Sequence, residues 1–368
     1  MTPLSAEESD DLANYVRDPG SPLPTAVPNL LFRGALLQHT IRGVPWRAFV
    51  RGAQEVLLHL DGDTNAWERV AFARDIGRRH LGELAILDWP DEAEWFKALN
   101  GVDQLTALAH VVQSAADANL DAIGSYAQAA EARLADVGPL PEALRLQGAV
   151  GRAYAAVGAF GQAALSLGRA VDGWFDGGRI RESSHALSEL LRVVGVQRDA
   201  DAVRGLQSRV DSLLSATPDA ISGAFIKLAL GRALLQSGQL DDGRAALGGS
   251  ATEWEAAPLH AQAARLRWLH FADLEGGNDA SAERHLDEFD ALNEDGAAYD
   301  SAQRYLSRID RALSRGTVVG GHVESLLAAV PGGHEAARTL SRLAPLVPLK
   351  SMLNNRSLVA RMAWEYRY

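Results

Sequence analysis

The chain has 368 residues, of which 47% are apolar, 23% charged and 7% aromatic, the composition of a folded globular protein long enough for two or three domains or one repeat array. It contains no cysteine, which excludes a disulfide framework, thiolate-bound zinc, an iron–sulfur cluster and a cysteine nucleophile. A net charge of −11 disfavours bulk attraction to nucleic acid or to an anionic membrane, so neither is expected as a partner.

Residues 1–30 read as an acidic, Pro/Gly-rich arm. Glu7, Glu8, Asp10, Asp11 and Asp18 face only Arg17, and the run DPGSPLPTAVP denies a helix or a central strand. The acidic start lacks the basic and then greasy character of a secretory leader, and no apolar run approaches a bilayer span, so a cytoplasmic protein is expected. From about Leu30 onward, apolar residues recur three and four apart, the spacing that places them on one helix face. Segments alternating in the strand manner are nearly absent, and an all-α fold follows.

Residues 31–102 form an N-terminal helical region that fits a repeat worst. Within it TNAWERVAFARDIGRRH and DEAEWFKALN read as the two helices of an approximate hairpin over Thr64–Asn100, and Trp46, Trp67, Trp89 and Trp95 concentrate here. Asp61, Asp63 and Asn65 alternate as calcium ligands do, but Ala66 and Phe72 stand where an EF-hand needs glycine and glutamate. Asp63 or Thr64 is instead expected to cap the following helix.

Over residues 103–330 turn signals recur at Asn119, Gly158, Gly195, Gly238, Gly277 and Gly316, at intervals of 39, 37, 43, 39 and 39. Each closes one apolar helix and precedes another, giving one helical hairpin per period. In two units the residues carry a sharper pattern of small residue, large residue, turn, small, large, small. The first holds Gly151, Tyr154, Gly158, Ala163, Leu167 and Ala170, and the second Gly231, Leu234, Gly238, Gly243, Leu247 and Ser250 at the same offsets. The chain thus resembles the tetratricopeptide (TPR) repeat family, with a period longer than the usual ~34 residues. The resemblance implies a right-handed α-solenoid of about six or seven TPR-like hairpins, with the first helix of each lining a concave groove. Small residues let the paired helices approach closely, and large ones fill the space beside them.

Catalytic constellations are sparse. Glu182 and His185 have the ExxH spacing of a di-iron bundle, but no second copy exists. Asp88, Asp91 and Glu92 flank Pro90, and Asn278 precedes Ser281 by one residue too few for the magnesium-binding helix of a terpene synthase. GxSxG, GxxxxGK, HExxH and a strand-borne GxGxxG are all missing. No catalytic residue, metal or cofactor is expected.

By the TPR offset, the residues turned into the groove are Arg145, Arg152, Glu182, His185, Glu189, Arg192, Arg232, Gln236 and Arg267. Spacings of three, four and three make Glu182, His185, Glu189 and Arg192 one polar stripe in any helix, and arginine forks suit carboxylates or carbonyls of a bound segment. The Lys and Asn of the TPR clamps that hold chaperone tails are missing from the matching places. Residues 331–368 read as a capping helix and a tail in which Met362, Trp364, Tyr366 and Tyr368 alternate with polar neighbours. That tail would cap the stack or serve as the contact of a homodimer. The expected function is that of an adaptor binding a protein or peptide segment, with Tyr154 helping to shape the wall. The alternatives are a ligand-responsive regulator and a helical enzyme, either of unfamiliar type using the Leu30–Asn100 region or metal-dependent and terpene-synthase-like.

Overall fold

Every regular element among the described residues is helical. The computed structural model describes residues 4–18, 24–36, 44–60, 62–81, 83, 85–118, 122–135, 137–217, 219–248 and 254–294. Asp61, the turn signals Asn119 and Gly316, Ser250 of the second TPR match and the aromatic tail lie outside them. The chain divides into two compact units, Met1–Val157 and Gly158–Tyr368.

The first unit opens with α1 (Ala6–Arg17), where the acidic residues were read as an arm. A capping box starts this helix: Glu8 N–H donates to Ser5 Oγ at 3.1 Å, and Ser5 N–H donates to Glu8 Oε2 at 2.8 Å. Leu12, Ala13, Tyr15 and Val16 are buried on one side while the acids stay outside. The acid run is therefore the solvated face of an amphipathic helix, not an extended segment. Arg33 ties the helix down through Glu8 at 2.7 Å, from α2 (Val27–Leu36). The helix α2 begins inside the Pro-rich run, with Pro28 in the first turn, where a missing N–H costs nothing.

Next come α3 (Trp46–His59) and α4 (Thr64–His80), packed as a hairpin. Asp63 caps α4 as expected, accepting from Ala66 N–H at 2.9 Å. The partner helix expected over residues 91–100 is a single turn, α5 (Glu94–Lys97). One turn suffices to insert Trp95, whose ring meets Phe32 at 5.3 Å and Phe72 at 4.9 Å. Rings of this size each remove roughly 150–250 Å² from water, so this cluster, more than helix propensity, holds α2, α4 and α5 together. The four tryptophans do not gather in one place: Trp46 stacks on His80, Trp89 lies against Tyr126, and Trp67 is exposed. The unit closes with α6 (Gly101–Ala118), α7 (Ile123–Leu134) and α8 (Pro141–Ala156), each packed on the other two.

The second unit comprises α9 (Phe160–Asp176), α10 (Ile180–Val196), α11 (Ala200–Gly205), α12 (Gln207–Ala216), α13 (Ala220–Gln236), α14 (Leu240–Gly248), α15 (Leu259–Glu275) and α16 (Asp279–Glu294). Leading helices α10, α13 and α15 pack successively on one another, and each also packs on its return helix, α11–α12, α14 or α16. Gly158, Gly178, Gly238 and Gly277 take positive φ at the turns. The turn assigned to Gly195 belongs to Arg198, at φ 57°. Gly195 is still helical and buried, because a Cβ there would sit 2.8 Å from Ala233 Cα on α13. Close approach, not turning, explains that glycine.

The second TPR match is realised as close packing. A Cβ on Gly231 would lie 2.5 Å from Leu247 Cγ, and one on Gly243 would lie 2.6 Å from Leu235 Cγ. Both glycines are thus the contact points of α13 and α14. In the first match Tyr154, Ala163, Leu167 and Ala170 are all buried.

Candidate binding face

The helix α10 follows the Gly178 turn and buries Leu187, Leu190, Leu191 and Val194. Ser183 Oγ donates to Val171 O on α9 at 2.9 Å, fixing the helix about its axis. The polar stripe on the remaining side is graded: His185 is exposed, Glu182 and Glu189 are half-buried, and Arg192 is buried. Arg192 and Glu189, one turn apart, form an ion pair with side-chain exposures of 8% and 14%. Screening by water is weak there, so the pair holds its geometry more firmly than a surface pair does.

The next leading helix, α13, contributes Arg232, which is buried with its guanidinium 5.7 Å from the centre of the Trp268 ring on α15. Gln236, one turn later, abuts the end of α10: its Oε1 lies 2.6 Å from where a Gly195 Cβ would stand. Arg267 on α15 is likewise buried. Seven of the nine sequence-predicted residues therefore belong to the second unit. Within it the structure joins Glu189 to Arg192, Arg232 to Trp268, and Gln236 to the α10 terminus.

Arg145 and Arg152 belong to the first unit, two turns apart on α8, exposed and half-buried respectively. Tyr154, expected to shape a groove wall, is a packing residue instead. It is buried, and its hydroxyl donates to Glu131 Oε2 on α7 at 2.6 Å. Burial first, and the Glu131 carboxylate second, push the phenol up to about 12.

Sequence reasoning missed Trp268, although an arginine on one leading helix and a tryptophan on the next is a readable signal. It also missed a polar knot behind the face. Buried Asp273 on α15 meets Arg244 Nε of α14 at 3.0 Å and His285 Nε2 of α16 at 3.2 Å. Burial lowers the His285 pKa despite the attraction of Asp273 and Glu288, with the Arg284 and Arg265 charges acting in the same direction as burial. This carboxylate ties three helices, one oxygen on Arg244 and the other on His285. Among the described residues no three His, Asp or Glu side chains converge as a metal would require. Asn278 caps α16 through Ser281 N–H at 3.4 Å, and Asp91 pairs with Arg133 at 3.1 Å, so both of the weighed magnesium motifs have structural roles. No helix among the described residues is long and apolar enough to cross a membrane.

No family model and no curated protein matches the chain. Among solved structures it is similar to a Rap protein complexed with Competence and Sporulation Factor. That match has a TM-score of 0.54 and 13% sequence identity, covering 99% of this chain and 96% of the other. The fold is that of a TPR-like helical-repeat protein. At this identity the likeness concerns the fold alone.

Proposed function

We propose that the chain is a non-catalytic binding protein that holds a protein or peptide segment against its leading helices, with Glu182, His185 and Glu189 in contact and Arg192, Arg232 and Arg267 behind them. The observation that carries this reading is the burial of one arginine on each of α10, α13 and α15, at 6–7% exposure. Burying a guanidinium costs more than burying an apolar side chain of similar volume, and packing alone would be served as well by leucine or methionine. Three in succession, one of them held by Glu189 and another lying against Trp268, fix the contact residues in front of them and bias the face toward anionic groups without touching the segment themselves. The likeness to a Rap protein solved with a bound factor supports a protein or peptide partner.

The test is affinity capture of partners from the source proteome by the full chain. One partner is expected to be enriched and then lost with Glu182→Gln plus His185→Ala, two changes outside the core that leave the helical circular dichroism intact. Equal enrichment by that folded variant removes the face from the reading.

A further inference from the structure

The first unit holds a cleft of its own. The start of α6, Arg133 near the end of α7, and Val137 and Leu140 beyond it border a cleft of about 630 Å³, within the size range of pockets that take small organic ligands. Leu105 and Leu108, both buried, form its floor. Val137 continues the wall, while Val102 and Leu140 stand at its mouth at 38% and 42% exposure. All are branched aliphatic side chains, and no aromatic ring lines the cleft to stack a flat ligand.

One guanidinium stands at the mouth, with Asp91 paired to it and Asp103 in the first turn of α6. Arg133 is the charged side chain of the lining. The N-terminus of the 18-residue α6 borders the same space, but it is already capped by Asn100 Oδ1, which accepts from Asp103 N–H at 3.0 Å, and offset by the Asp103 carboxylate, so the guanidinium is what draws an anion. Arg133 pairs with Asp91, but both side chains are in water, at 48% and 36% exposure. An ion pair in that setting is worth little and exchanges readily with another carboxylate. An apolar floor, aliphatic walls and one exchangeable guanidinium complement a ligand with one aliphatic chain and one anionic end.

We propose that this cleft binds an aliphatic monocarboxylate, its chain lying on Leu105 and Leu108 and its carboxylate replacing Asp91 on Arg133. Decanoate, kept below its micelle concentration and titrated calorimetrically into the full chain, is the probe. Saturable one-to-one binding is expected. Arg133→Gln should weaken it roughly tenfold or more, the worth of a hydrogen-bonded charge. Asp91→Asn should strengthen it by removing the competitor, and Val102→Asp at the exposed mouth should abolish it. Decanol should bind at least tenfold more weakly than decanoate. Absence of saturable binding, equal affinity for decanol, or indifference to both Arg133→Gln and Val102→Asp overturns the site. So does binding of an acetylated peptide ending in leucine when decanoate fails to bind, since the cleft would then belong to a polypeptide terminus.

Discussion

Arg198 carries the backbone conformation that glycine supplies at Gly178, Gly238 and Gly277. Its φ of 57° places a Cβ-bearing residue in the left-handed region, where N–H of Arg198 still finds Gly195 O at 2.9 Å. Holding a non-glycine residue there costs about 1 kcal/mol, and the α10 terminus supplies the reason it is tolerated. The glycine of this repeat is used three residues earlier, at the contact of Gly195 with Ala233, and cannot also serve the turn. Relieving that strain gains about 1 kcal/mol and the extra freedom of the unfolded glycine chain takes back about half of it, so Arg198→Gly should raise stability by roughly 0.5 kcal/mol, and urea titration reads the change. An unchanged or lowered midpoint would show that the Arg198 side chain contributes more than its backbone strain costs.

Hairpin geometry is where small residues decide the outcome. At the α13–α14 contact a methyl on Gly231 would meet Leu247 Cγ at 2.5 Å and Gly243 O at 3.2 Å, and the carbonyl cannot swing away without breaking its helix. Gly231→Ala should cost about 2 kcal/mol by overpacking, despite alanine's better helix propensity. Gly168, inside α9, is the control. The nearest atom to its added Cβ is Arg209 Nη1 at 3.9 Å, so Gly168→Ala should stabilise by about 0.5–1 kcal/mol. Opposite signs for two identical substitutions separate contact from propensity, and equal signs in urea unfolding would deny the TPR-like role of Gly231. This contact was legible in the sequence because small and large residues repeat at fixed offsets. The α4 cap was legible for the same kind of reason, since Asp63 stands just before an apolar rhythm. The helix α1 was not, because its four acids outweighed the Leu12, Ala13, Tyr15 and Val16 face, which shows only when periodicity is counted before charge. For the face, the sequence located the α10 stripe but could not grade it. Burial of Arg192 and Arg232 depends on which helix lies alongside, and chain-local spacing carries no such information.

At the scale of the whole molecule, acid works against the fold through its buried histidines. His110, on α6, is buried with Nε2 3.3 Å from Leu36 O, and burial together with the Arg79 charge lowers its pKa to about 3. His80 and His285 are lowered for the same leading reason, burial. In all three the fold disfavours the charged ring, and His110 is held neutral well below pH 6.5, near which it titrates once the chain unfolds. Protons therefore favour the unfolded state. The contribution of His110 is fully present above about pH 6.5, shrinks as pH falls, and levels off only below its folded value of about 3. One such proton is worth about 1.4 kcal/mol per pH unit, so bringing the chain from pH 7 to pH 5 should cost about 2 kcal/mol through His110 alone. His110→Gln keeps a donor for Leu36 O and cannot titrate. Its stability should fall by about 2 kcal/mol less than that of the parent chain over the same interval, as read from urea midpoints at the two pH values. Parallel pH profiles for variant and parent would mean that His110 titrates alike in both states, which its burial against α2 and Arg79 forbids.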